Sequence, residues 1–190
     1  MTTRLTLRCH SGQNTWSLPY PTASLPLNAW YCHCSICRHV SGAPFVAHLG
    51  QLPISLCEST ASPPATSRAY NTSSKGRRYF CSKCGTYLAT STPVGVKPEQ
   101  WFACVGALEL GSLKAQEVYK FSEHYDLAST VDGGFARWLD DGLPKWVAWG
   151  PEEFHFPTEP LTPARPTSGA KEALNGACHC GGVTLELLQP

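Results

Sequence analysis

Cys32-His33-Cys34-Ser35-Ile36-Cys37 places three thiols within six residues, and this Cys-x-Cys-x-x-Cys packing lets one turn wrap three sulfurs around a single ion. Zinc fits such a set best, because it is borderline-soft, takes thiolates at ~2.3 Å and accepts tetrahedral geometry, whereas magnesium or calcium would want oxygen ligands. Three local ligands leave a fourth position open, which is how catalytic zinc differs from structural zinc. A fourth Cys or a His from elsewhere in the chain would instead close the site.

Cys81-Ser82-Lys83-Cys84-Gly85-Thr86 reads as a zinc knuckle, in which Gly85 takes positive φ and lets backbone N–H groups point at the thiolates. A knuckle supplies two ligands and needs two more. Cys9-His10-Ser11-Gly12 stands where that pair is expected, but its second position is Ser11, and a serine hydroxyl is a poor zinc ligand at neutral pH. The fourth ligand then falls to water, Ser11, His10 or a Cys from the tail, where Cys178 and Cys180 are intact. A redox reading of Cys81 and Cys84 fits poorly, since no βαβ setting surrounds them. Cys57 and Cys104 stand alone and read as small apolar core residues. His10, His33 and His179 lie inside Cys-rich turns. His39, His48 and His124 are freer, although a lone His is more often hydrogen-bonded structure than a catalyst.

These residues must be positioned by short elements. The 190 residues give one principal core and are too few for two ordinary domains. Sixteen Pro and sixteen Gly argue against long helices. Segments rich in β-formers at 4–9, 30–33, 44–49, 78–81, 87–90, 101–108 and 117–125 predict strands, and the best helix candidate is the short 134–140. The fold class is mainly β. The balance of 15 Lys+Arg against 14 Asp+Glu offers no field to gather nucleic acid or an anionic membrane. The basic run Lys75-Gly76-Arg77-Arg78 reads as a solvated hairpin tip. With no apolar h-region at the start and no run of ~18 apolar residues, the expectation is a soluble cytoplasmic protein with neither nucleic-acid nor membrane partners. Ten cysteines in a reducing compartment point to metal or chemistry rather than disulfides.

The expected domain occupies 1–150. Closely spaced prolines make 151–176 a linker, in which neither strand nor helix propagates. At 177–190 the chain lines up with its own beginning, since Cys178, His179, Gly181, Thr184 and Leu187 recur at the offsets of Cys9, His10, Gly12, Thr15 and Leu18. The tail reads as the first strand of a truncated second copy.

The segments Cys9 to Gly12, Tyr31 to Arg38, Ser41-Gly42-Ala43-Pro44-Phe45-Val46-Ala47, Phe80 to Leu88 and Asp141-Gly142-Leu143-Pro144 together resemble the glutathione-dependent formaldehyde-activating enzyme family, which includes centromere protein V. The resemblance implies a β-tent of small antiparallel sheets around zinc. It also implies a catalytic-type zinc on Cys32, Cys34 and Cys37, and a structural one on Cys9, position 11, Cys81 and Cys84. Ser11 departs from the family's Cys. The implied chemistry joins a thiol, glutathione in the first instance, to an aldehyde carbon, or reverses that step as a carbon-sulfur lyase. Arg38, beside the cluster, would offset its negative charge or hold a glutathione carboxylate in a fork, the alternative being an exposed surface arginine. His48 and His124 are the other candidate catalytic residues. Holding three Cys as thiolates at pH 7 costs about 2 kcal/mol each. Zinc binding of about 10 to 16 kcal/mol exceeds that. A non-catalytic zinc-binding interaction module and a zinc-storage site are the competing readings, and a homodimer that exchanges tails stays open.

Overall fold

The computed structural model describes residues 1–52, 66–74, 76–91, 100–158 and 174–187. It divides into two compact units, Met1–Tyr31 with Ala47–Glu123, and Cys32–Val46 with His124–Pro190. The chain is mainly β, with small antiparallel sheets and two cysteine clusters able to bind metal.

In the first unit, strand β1 (Thr2–Arg8) turns Leu5 and Leu7 inward, and β2 (Thr15–Pro21) does the same with Trp16, Leu18 and Tyr20. This is the period of two that makes a strand two-faced. The register Leu5↔Leu18 and Leu7↔Trp16 stacks the apolar faces, and Leu108 of β9 (Leu108–Glu109) pairs with Leu7 on the other edge. A seven-stranded sheet follows the order β10-β3-β4-β8-β7-β6-β5. Its members are β3 (Leu27–Cys32), β4 (Val46–Gln51), β5 (Ser67–Ser73), β6 (Gly76–Cys81), β7 (Tyr87–Ser91), β8 (Trp101–Cys104) and β10 (Tyr119–Tyr125). The core of the unit joins Leu5, Leu7, Leu18, Leu88 and Ala103 to an aromatic stack, with the Tyr79 and Trp101 centroids 4.5 Å apart and the edge of Trp16 against Tyr79.

The expected strand 101–108 is in fact two strands in different sheets. β8 stops at Cys104, a 3-10 turn over Val105–Ala107 redirects the chain, and β9 joins β1. Likewise 117–125 begins with a helical turn, Ala115–Val118, before β10. Arg77 and Arg78 lie within β6 rather than at a hairpin tip, and the Arg78 guanidinium is bonded to the Thr90 hydroxyl. Lys75 and Cys57 lie outside the described residues.

The second unit holds the α-helix that the sequence does not announce, α1 (Ser35–Ser41). The segment expected to be helical is a 3-10 turn, Gly134–Trp138, entered through Gly133 at φ 88°. Gly133 is tolerated there by necessity, because a Cβ would come within 2.3 Å of the Phe156 ring. Backbone bonds tie His124 to Pro144 and Trp146, Leu127 to Trp146, and Ala128 to Val147. The Val147 amide then donates to the Glu152 carbonyl and the Phe154 amide to the Lys145 carbonyl, which ties the largely exposed start of the expected linker, up to Phe154, to the chain before it. Residues 159–173 lie outside the described ones. Among the described residues no helix is long and apolar enough to cross a membrane.

Candidate metal centres

In the second unit β3 ends at Cys32, and Cys34 caps α1, its sulfur accepting the Cys37 amide at 3.3 Å. A thiol thus does the work that Ser, Thr, Asp or Asn usually does at a helix start. The cap brings Cys34 and Cys37 to one side of the turn. At the other end Gly42, at φ 66°, donates to the Arg38 carbonyl, and the Ser41 hydroxyl donates to the Cys37 carbonyl. The three sulfurs of Cys32, Cys34 and Cys37 lie within 4.8 Å of one another. Thiolates at ~2.3 Å from a tetrahedral ion sit about 3.8 Å apart, so a small contraction suffices to bind one.

The sulfur of Cys32 also donates to Asp126 Oδ2 at 3.2 Å. Asp126 is the one non-glycine with positive φ among the described residues, at 63°. Contact with the Cys34 and Cys37 thiols, and then burial, push the Cys32 thiol well above its usual range. A divalent cation would remove that repulsion. Burial likewise raises the Asp126 carboxyl.

Beneath the turn runs a buried relay. His33 Nε2 faces His124 Nδ1 at 2.9 Å, and His124 Nε2 faces Asp141 Oδ2 at 2.9 Å. Burial is the main cause holding both histidines below the ordinary value, with His33 at about 4, assisted there by His124 and Arg38. Burial pushes the Asp141 carboxyl up, but bonds from His124, the Leu143 amide and Lys145 outweigh it and hold it low. Neutral rings beside a carboxylate fix the tautomers. His124 donates from Nε2 and accepts at Nδ1, His33 donates from Nε2, and the buried His33 Nδ1 finds no hydrogen-bond partner among the described residues.

Of the residues singled out by sequence, Arg38 spends Nε on the His33 carbonyl at 3.0 Å and Nη2 on the Ser129 carbonyl at 2.8 Å. It pins the cysteine turn instead of lying loose on the surface. His124 is fully buried and reaches the turn through His33. His48 belongs to the first unit, stacked on Trp30 at 5.8 Å and meeting the edge of Tyr87. Sequence reasoning missed Asp126 and the relay role of Asp141. The Asp141-Gly142-Leu143-Pro144 segment was a signal for the second, and nothing local marked the first. A cavity of about 750 Å³ in this unit is lined by Lys145, Trp146, Glu153, Phe154, His155 and Phe156, with none of the three cysteines among its walls.

In the first unit Cys9, Cys81 and Cys84 also bring their sulfurs within 4.8 Å. Two tight turns do this. The Gly12 amide donates to the Cys9 carbonyl, the Gly85 amide to the Cys81 carbonyl, and both glycines take positive φ, 73° and 72°. Ser11 Oγ lies 3.4 Å from Cys9 Sγ and 3.6 Å from Cys81 Sγ, while the Ser11 amide donates to Cys84 Sγ at 3.5 Å. Asn14, fully buried, donates its amide to Cys9 Sγ at 3.2 Å and is itself held by Thr66 and Ser67. Burial pushes Cys9 up, yet the bonds from Ser11 and Asn14 carry it below its usual value. Thr86, then Ser11, lower Cys84 to about 5. Cys104 is half-buried, which raises its thiol.

The tail forms the hairpin β11 (Leu174–Ala177) and β12 (Thr184–Leu187), whose turn repeats that of β1 and β2. The Cys178 amide donates to Val183 O and the Gly181 amide to Cys178 O, each at 2.9 Å. The Val183 amide meets Cys178 Sγ at 3.2 Å, matching the bonds around Cys9, Gly12 and Asn14. Its two sulfurs, Cys178 and Cys180, are 3.5 Å apart.

No curated protein matches the chain. Residues 4–124 match the family described as glutathione-dependent formaldehyde-activating enzyme, a span that takes in both sulfur triads. With that match over more than half its length, the chain belongs to the glutathione-dependent formaldehyde-activating enzyme family.

Proposed function

We propose that this protein is a zinc-dependent carbon-sulfur lyase that makes or breaks the adduct of glutathione, or a related thiol, with a small aldehyde or metabolite. The carrying observation is the convergence of the Cys32, Cys34 and Cys37 sulfurs, with the Asp126 carboxyl 3.2 Å from Cys32 Sγ. These three cysteines would hold the ion, whose contribution is to keep a bound thiol as thiolate and to polarise an oxygen. Three thiolates against one Zn²⁺ leave a net charge near −1, which favours thiol handling over strong Lewis acidity.

The chain's own groups supply the rest. In the cleavage direction the adduct's hydroxyl loses its proton, the carbon-sulfur bond breaks with its electrons on sulfur, and the sulfur gains a proton. Asp126 Oδ2 is the group that carries that proton from one atom to the other. Arg38 and the His33–His124–Asp141 relay hold the turn to which all three sulfurs belong. Thiols add to formaldehyde with little help, so larger adducts of the same chemistry suit this site equally. A reducing, cytoplasmic setting and a β-tent arrangement belong to the same reading.

The test is proton NMR exchange spectroscopy of glutathione mixed with formaldehyde, in the presence of the zinc-loaded protein. The exchange between free and adduct glutathione is expected to exceed the buffer rate and to return to it in Cys34→Ser. An exchange rate equal to buffer, or one undiminished in Cys34→Ser, overturns the assignment.

A further inference from the structure

The first unit carries a metal-ligating cluster that the proposed reaction does not use. It differs from a closed four-sulfur site at a single atom, and the chain contains its own control. In the tail hairpin the position equivalent to Ser11 is Cys180, the turn bonds are the same, and the pair of side-chain atoms is equally close, 3.5 Å between sulfurs against 3.4 Å between Cys9 Sγ and Ser11 Oγ. The backbone at Ser11 is therefore shaped for a fourth ligand that its side chain does not provide. Instead the hydroxyl lies against two of the sulfurs, and the Ser11 amide donates to the third. Ser11 and Cys84 are partly exposed, whereas Cys9 and Cys81 are buried, so solvent reaches the cluster from the side where the fourth ligand is wanting.

We propose that, at the metal position the family resemblance already implies on Cys9, Cys81 and Cys84, Ser11 leaves the fourth coordination place of a zinc-class cation open to water and to small thiols in this chain. The donor set fits. Three sulfurs converge, each meets at least one hydrogen-bond donor that spreads thiolate charge, and three thiolates leave a smaller net charge than four would. Ser11 tempers the sulfurs without occupying the coordination sphere. The site is thus an exchangeable centre at the place where a closed one would lock the β1 and β6 ends together. It is independent of the reaction assigned to Cys32, Cys34 and Cys37.

The experiment uses the full chain carrying Cys32→Ser and Cys34→Ser, which leaves only the Cys9 cluster, loaded with cobalt(II) as a spectroscopic probe. One ion per chain is expected. Adding 2-mercaptoethanol should shift the visible absorption, and a competing chelator should remove the ion rapidly. Adding Ser11→Cys should abolish the thiol-induced shift and slow the loss to chelator by at least about tenfold. Cys178→Ser with Cys180→Ser should change neither. The proposal is overturned if the Ser11 protein binds no cobalt or ignores the thiol, if Ser11→Cys leaves exchange as fast, or if the tail substitutions cost the metal, which would make the tail sulfurs the missing ligand. Should Ser11→Cys fail to fold, the thiol titration of the Ser11 protein decides alone.

Discussion

The two sulfur triads are alike in spacing, and they differ most in what surrounds Cys32. Around Cys9, Cys81 and Cys84 the neighbours are donors, the Asn14 and Ser11 amides and the Ser11 and Thr86 hydroxyls, and the Cys9 and Cys84 thiols are lowered accordingly. Around Cys32 the neighbours are two further thiols and a carboxylate, and its own proton is held tightly. Cys9 and Cys84 are prepared for anionic sulfur before any ion arrives, whereas Cys32 is not. The difference separates sulfurs ready to ligate a cation from one that would have to release its proton on binding it.

The largest expected effect exploits that contrast directly. In metal-free protein at pH 7, alkylation by iodoacetamide read by peptide mass spectrometry should modify Cys84, a thiolate above about pH 5, on the order of 100-fold faster than Cys32. Comparable rates would mean that the hydrogen-bond donors do not distinguish the clusters. Loading with zinc should protect both.

A smaller effect sharpens the contrast from below. Asp141→Asn removes the charged end of the His33–His124 relay and should destabilise the protein by about 1 to 3 kcal/mol in urea denaturation. Its pH signature is specific. Both histidines titrate lower in the folded protein than in the unfolded chain, so the unfolded chain takes up protons first as pH falls. Their contribution is complete above the unfolded value near 6.5 and is lost as pH drops from there toward about 4 for His33, by up to about 1.4 kcal/mol per pH unit per histidine. Relative to wild type, His124→Phe should flatten stability across that window. An identical slope in the two proteins would remove the relay from the account.

Much of this was legible in the sequence because cysteine spacing is local. Cys32, Cys34 and Cys37 converge within one turn, and the Cys81 knuckle announces itself through Gly85. The likeness of the tail's turn bonds to those around Cys9 follows the same local recurrence of Cys178, Gly181 and Thr184. What was not legible depends on partners distant in sequence. Asp126, whose backbone takes positive φ, meets Cys32 across 94 residues of chain, and no residue pattern around it signals either feature. Helix α1 escaped notice because it is seven residues long and capped by a sulfur. Strand β5, Ser67 to Ser73, is largely polar, and its pairing with β6 outweighs its weak intrinsic preference. Arg38 reads from sequence as a carboxylate fork or a surface arginine, and its bond to the Ser129 carbonyl, 91 residues along the chain, has no local signal.

The central claim is that each triad binds its own divalent ion. Native mass spectrometry of the zinc-loaded chain tests it most directly. The account predicts two ions per chain in wild type, and one in each of Cys37→Ser and Cys84→Ser, which remove a sulfur from different clusters. A wild-type chain that binds no zinc, or a count that neither substitution lowers, would contradict it.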